Sequence, residues 1–270
     1  ACGGGGSSSG STPATDGGDT GAAGGKVGFI LPDSASSARW EDFDRPLIEA
    51  ACDEAGIECV IQNAEGDADN MATIADQMIA DGVKVLAIVN LDSDSGAAIQ
   101  EKAAAAGVKN IDYDRLTLGG SADAYVSFDN VAVGTAQGEG IIECMGGAGN
   151  VEGKKIIQLH GSPTDNNATL FKQGYQAAIE AAGYTVAADQ AVPDWDNTKA
   201  GTIFEQMYTK ANGDFVAVAS ANDGLGGAVI SVLDRNGQAG KIFVSGQDAT
   251  DEGLQRVLLG TQCVTVYKAV

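Results

Sequence analysis

Aspartate, asparagine, arginine and tryptophan recur in this chain just after short apolar runs. SPTDNNATLF, residues 162–171, sets Asp165, Asn166 and Asn167 side by side at one such junction. A helix N-cap needs a single side chain of this kind, so three in a row imply that something else is held there. Arg39 and Trp40 follow the first apolar run, and Asp114 and Arg115 the fourth. Asp194 and Trp195 follow YTVAAD, Asn222 and Asp223 follow DFVAVAS, and Gln247 and Asp248 follow KIFVSG. Lys268 ends CVTVYK, and both of the chain's two tryptophans belong to the set. Asn side chains donate and accept, carboxylates accept, and Arg and Lys donate without accepting. Charge-assisted bonds of this kind are short and directional. A tryptophan ring covers the apolar C–H face of a pyranose at little entropic cost. Mixed acids and bases with flat aromatics suit a neutral polyol better than a phosphate or a metal. Each residue also has a plainer role: Asp165, Asn222 and Asp223 as caps, Trp40 as core, Arg39 and Arg115 as surface charges. Those roles do not account for their shared placement.

The segments between these residues alternate in period. KVGFILP (26–32) and KVLAIVN (84–90) are continuous apolar runs that predict buried strands, and ECVIQN, VKNIDY and AYVSFD (124–129) complete a first set. Trp40, Phe43, Leu47, Ile48 and Ala51 recur at helical spacing, with Gly56 placed to stop the helix. Further helices are predicted over 94–106, 131–145, 165–182, 197–211, 224–236 and 249–258, alternating with KIIQLH, YTVAAD, DFVAVAS, KIFVSG and CVTVYK. Apolar strands alternating with amphipathic helices predict α/β architecture with parallel sheets covered on both faces. Two doubly wound parallel-sheet lobes are expected, at 26–130 and 131–266, divided near Asp129 and Asn130. In such sheets ligands bind beyond the carboxyl ends of the strands. Asp165 or Thr164 is therefore expected to cap its helix while the neighbouring side chains face a cleft between lobes.

Sixteen basic against 37 acidic residues give a net charge of -21 over 270 residues, a field that repels nucleic acid. No run approaches the roughly 18 apolar residues needed to span a bilayer. Residues 1–25 hold ten glycines and almost nothing that packs, which predicts a flexible tether. With Cys2 at its head, this stretch resembles the start of a bacterial lipoprotein, and implies a lipid anchor there. Cys52, Cys59, Cys144 and Cys263 permit three pairings. A bridge from Cys52 to Cys59 would span a single turn, and Cys144 and Cys263 would share an outer edge; buried free thiols are the alternative. No histidine cluster or CxxC spacing accompanies them, so neither metal nor cofactor is expected. His160 reads as a strand-end residue.

The motifs ARW, YDRL, SFDN, SPTDNNA, ASANDG, SGQDA and GTQCVTVYK, in this order and spacing, resemble bacterial xylose-binding proteins. These belong to the sugar-binding periplasmic or lipid-anchored solute-binding proteins that feed ABC importers. The resemblance runs from Lys26 to the end of the chain. It implies two lobes joined by three crossings, with SFDN the first and VTVYK the second. Residues 267–270 would begin the return to the first lobe, and a truncated C-terminus is expected, because the family continues to a third crossing. Carried across motif by motif, the pentose-contacting residues are Arg39, Trp40, Asp114, Arg115, Asp165, Asn167, Trp195, Asn222, Asp248 and Lys268. PDWDN around Trp195 and PDSASSA before Arg39 depart from the family's usual wording. The implied partners are a monosaccharide, D-xylose foremost, and the membrane permease of an ABC importer, with the binding protein a monomer. Glucose, ribose and arabinose are alternative ligands, and a chemoreceptor role is compatible.

Competing readings are weaker. A carbohydrate hydrolase using Asp114 and Asp248 needs one acid kept protonated, whereas Arg115 would lower a neighbouring pKa. A nucleotide site at NDGLGGAV lacks the third glycine at Val229, and Asp223 would repel phosphate. A regulator's sensor domain would bring a basic DNA-reading unit, whereas a glycine tether stands here.

Overall fold

A computed structural model describes residues 25–148 and 153–269. The expected tether and Cys2 lie outside the described residues. The chain forms two five-stranded sheets whose recorded strand pairs are all parallel. The first has the order β2-β1-β3-β4-β5, from β1 (Val27–Leu31), β2 (Cys59–Asn63), β3 (Val85–Ile88), β4 (Lys109–Tyr113) and β5 (Ala124–Val126). The second has the order β10-β9-β8-β6-β7, from β6 (Lys155–His160), β7 (Thr185–Ala191), β8 (Ala217–Ser220), β9 (Phe243–Gln247) and β10 (Val264–Val266). Central strand β3 is apolar throughout and β8, apolar up to Ser220, is wholly buried, because helices cover both faces; edge strand β5 is exposed.

Among the described residues eight α-helices connect the strands: α1 (Arg45–Ala55), α2 (Ala68–Ala80), α3 (Ser93–Ala105), α4 (Asn130–Cys144), α5 (Asn166–Ala181), α6 (Asn197–Ala211), α7 (Asp223–Arg235) and α8 (Asp251–Leu258). From α2 onward each begins on a side-chain cap: Asp67, Asp92, Asp129, Asp165, Asn222 and Asp196 accept backbone N–H groups, and so does the Thr250 hydroxyl. Each cap offsets the unpaired amides of a first helical turn. Because every such turn follows a strand's carboxyl end, capping alone concentrates acids and amides on one rim of each sheet.

The first lobe packs Ile30, Met71, Met78, Leu86 and Ile88 on one face and Leu31, Trp40, Ile48 and Val89 on the other. The second lobe has a larger core around Ile156, Leu159, Tyr175, Phe204, Val229 and Leu233. The stripe expected before Gly56 is only partly buried. Trp40–Asp44 forms a π-helical turn that breaks the 3.6 period, leaving Phe43 and Leu47 exposed while Trp40 and Ile48 go inside. β5 is also shorter than AYVSFD, since the chain leaves the first sheet after Val126 and enters α4 at Asn130. After β10 it passes back, and the Lys268 ammonium lies 5.3 Å from the Phe128 ring of the first crossing. Disulfides join Cys52 to Cys59 and Cys144 to Cys263.

Candidate ligand-binding site

The two rims face one another, and the lobes touch there. Asn167 Nδ2 donates to the Asp114 carbonyl at 3.0 Å and to its Oδ1 at 2.9 Å, the Ser37 hydroxyl donates to Asp248 at 2.9 Å, and Asn222 Nδ2 donates to the Ser36 carbonyl at 3.2 Å. Thr164 reaches the Leu91 carbonyl at 3.1 Å. Between the lobes lies a cleft whose non-atom space, part of it open to solvent, is about 320 Å³. All ten residues carried across by the resemblance line it: Arg39, Trp40, Asp114 and Arg115 from the first lobe, Asp165, Asn167, Trp195, Asn222 and Asp248 from the second, and Lys268 from the return crossing; Asn166, Asp194 and Asp223 of the wider strand-end set do not.

Two of these residues do double work. Asp165 caps α5 with Oδ1, which accepts from the Asn167 amide at 2.9 Å, and leaves Oδ2 for the Trp195 indole N–H at 3.1 Å. Asn222 caps α7 with its oxygen and spends its amide nitrogen across the cleft. Thr164 is not the cap. Within the Asp-Asn-Asn triplet, Asp165 and Asn167 line the cavity and Asn166 does not.

The cations are matched by carboxylates. Arg39 makes a two-pronged pair with Asp44 at 2.8 and 2.9 Å and a third bond to Asp114 at 2.8 Å. Lys268 lies 3.1 Å from Asp248. Arg115 Nε stands 3.1 Å from Asp165, but its N–H is not aligned with that oxygen and has no hydrogen-bond partner among the described residues. Burial opposes ionisation of Asp114, yet Arg39, then Lys268 and Arg115, hold its carboxyl below the ordinary aspartate range. Burial pushes Asp165 upward against Arg115, with Asp114 adding to the rise. Burial opposes the charge on Arg39 too, but Asp114 and Asp44 outweigh it and raise its pKa. With its cations committed in this way, the cavity offers little to a phosphate and has no surplus charge for a metal; no group of metal-holding side chains occurs among the described residues.

What remains available is of mixed polarity. The Arg115 Nε–H is a donor without a partner, and the buried Gln247 Oε1 is an acceptor without one, its Nε2 being held by the Ala221 carbonyl at 2.9 Å. A hydroxyl can satisfy both kinds of group. The Trp40 ring carries the Arg39 guanidinium at 4.2 Å, and the Trp195 ring meets Phe171 edge-on at 6.4 Å. Backbone strain gathers here as well: Asp114, Trp195 and Asp248 have φ of 64, 55 and 96°, a left-handed conformation unusual outside glycine and common at functional sites.

Ser36, Ser37, Phe171 and Gln247 also line the cavity, and Asp44 sits behind it. Gln247 stands in the strand-end set but not among the ten residues carried across, and the other four are in neither. Phe171 lies on the helical stripe and reads as core; the serines fall in PDSASSA, where the motif departs. Gln247 beside Asp248 was the available signal. His160 does not line the cavity; it bonds to the Tyr175 hydroxyl and lies 3.2 Å from Asp189.

Comparison with known proteins agrees with this architecture. A family model described as periplasmic binding protein domain matches residues 27–270. The D-xylose-binding periplasmic protein of Escherichia coli is 31% identical over 249 residues, covering 91% of this chain and 73% of its own length. Its namesake from Haemophilus influenzae is 33% identical with the same coverage. A carbohydrate transporter solute binding protein from Chloroflexus aurantiacus, solved in complex with D-glucose, superposes with a TM-score of 0.80 at 29% identity, over 90% of this chain and 78% of that one. Two parallel-sheet lobes around a shared cleft, together with these matches, place the chain in the periplasmic binding protein family.

Proposed function

We propose that this chain is an extracytoplasmic solute-binding protein that captures an aldose, D-xylose foremost, between its lobes and presents the closed form to the permease of an ABC importer. The observation that carries this reading is the cavity itself: charge-balanced, lined by both tryptophans, with an unmatched donor on Arg115 and an unmatched acceptor on Gln247. Buried polar groups without partners are unfavourable, and a ring of vicinal hydroxyls supplies what both lack. The ten lining residues would divide the work: Asp114, Asp165 and Asp248 accepting from hydroxyls, Arg39, Arg115 and Lys268 donating to them, Asn167 and Asn222 doing either, and Trp40 and Trp195 covering the sugar's apolar faces. Contacts from both lobes exist together only in the closed form, so a sugar that makes them shifts the population toward closure.

Xylose is favoured by two xylose-binding relatives at 31 and 33% identity. Glucose is the second candidate, because the superposed Chloroflexus protein holds it. Two disulfides suit an oxidising compartment outside the cytoplasm. Acylation at Cys2, with residues 1–25 as the tether of a monomer, would keep the protein at the membrane. Titration calorimetry with xylose, glucose, ribose and arabinose tests the assignment. Xylose should bind tightest, and Trp195→Ala or Asp248→Ala should weaken it at least tenfold, about 1.4 kcal/mol. Heat from another aldose but none from xylose removes the substrate assignment and keeps the class. Silence from all four removes both.

A further inference from the structure

Asp223 follows Asn222 directly, is fully buried and does not line the cavity. Its Oδ1 accepts from Gln262 Nε2 at 2.7 Å. Its Oδ2 accepts from the Thr250 amide at 3.0 Å, the Thr250 hydroxyl at 3.3 Å and the Thr265 hydroxyl at 2.8 Å. The Arg256 guanidinium donates to its carbonyl at 2.7 Å. Two glycines leave room for this carboxylate: a Cβ on Gly246 would lie 2.0 Å from Oδ1, and one on Gly253 2.1 Å from Oδ2. Helix capping does not call for the arrangement, since Asn222 already caps α7 and Thr250 caps α8.

The donors belong to the segments that carry the second lobe's site residues. Thr250 lies two residues past Asp248, and Thr265 three residues before Lys268. The Thr265 hydroxyl, with its proton given to Asp223, accepts the Ala249 amide at 3.1 Å. The turn thus clasped holds Asp248 and Ala249 at φ of 96 and 49°, a conformation that non-glycine residues keep only when their surroundings impose it.

We propose that Asp223 is a positioning residue for ligand binding: by clasping Thr250 and Thr265 it holds the left-handed Asp248 turn in register with Lys268 and Asn222, and so aims Asp248 into the cavity. The affinity part of the argument rests on the sugar-binding reading above; the part concerning the turn does not. Asp223→Asn replaces one acceptor oxygen by a donor facing other donors, and Thr265→Val removes the hydroxyl that links Asp223 to Ala249.

Hydrogen–deuterium exchange on the unliganded full chain should show amides at 247–250 and 265–268 exchanging about tenfold faster in either variant, with β6 and β8 unchanged. Affinity for an aldose that the unaltered protein binds should fall about tenfold in Asp223→Asn. In an Asp248→Ala background the same change should alter affinity by less than about twofold, because a residue acting through Asp248 has nothing left to aim. Equal losses in both backgrounds, unchanged exchange at the turn, or faster exchange spread evenly over the second lobe would each overturn the proposal. If Asp223→Asn does not fold, Thr265→Val decides the same comparisons. If the unaltered protein binds none of the four sugars, the sugar reading fails, and the exchange measurement alone decides whether Asp223 holds the turn.

Discussion

The wall behind Trp195 provides a sharp test of the site's geometry. Gly161 comes directly after β6, and a Cβ built on it would lie 2.1 Å from Cη2 and Cζ2 of the Trp195 ring. Its backbone is not left-handed, so alanine is conformationally acceptable and the contact alone decides the outcome. Carbon atoms pack at about 3.5–4.0 Å, so the ring must withdraw by roughly 1.5 Å. The indole N–H sits 3.1 Å from Asp165 Oδ2; a displacement of that size breaks the bond, and Phe171 stands edge-on against the same ring. Loss of the hydrogen bond to a buried carboxylate costs about 1–3 kcal/mol, and overpacking adds about 1–3 kcal/mol. Gly161→Ala should therefore destabilise the protein by about 2–6 kcal/mol in urea melts, and weaken aldose binding more than about tenfold by calorimetry. Near-ultraviolet dichroism, with two tryptophans to follow, should change. As a control, Gly201 within α6 has nothing within 4 Å of its added Cβ, and its alanine variant should gain about 0.5–1 kcal/mol from helix propensity. Gly161→Ala binding within twofold of the unaltered protein, with an unchanged aromatic spectrum, would refute the packing argument.

The disulfides should differ in weight. Cys144–Cys263 closes a separation of 119 residues and Cys52–Cys59 one of 7. On the loop-entropy model their serine variants lose about 4.9 and about 2.4 kcal/mol, and equal losses in urea melts would contradict that account. Asp114 should make stability depend on pH. Its folded-state pKa lies below the free value of 3.8, so its ion pairs contribute fully above that pH and are lost as pH falls through the lower folded-state value. The stability difference between the unaltered protein and Asp114→Asn should be flat from pH 5 to 8 and shrink below about 3.8. A difference that stays constant down to pH 3 would show that the ion pairs are not its source.

Much of the architecture was legible in the sequence because both periods are local. Continuous apolar runs such as KVLAIVN state that both faces are buried, and a capping residue after each run states where the next helix starts. The rim of strand ends was readable for the same reason, and with it the positions of Arg39, Asp114, Asp165, Asn222 and Asp248. Which atoms of those side chains meet is a long-range matter. That Asp44 reaches Arg39 depends on a π-helical turn that breaks the expected stripe. That Asp165 and Asn167 face the cavity while Asn166 does not depends on how α5 docks across from Asp114. Asp223 reads as a cap or as one of the strand-end residues facing the cleft, and the fold buries it behind the cavity instead, because Thr250, Thr265 and Gln262 arrive there from residues 27 to 42 positions later in the chain. Local pattern determined the lobes and the rim, since burial and capping are satisfied within one or two turns of chain. Tertiary closure decided which charges pair and which groups stay open, since those choices depend on surfaces that touch only when two lobes meet.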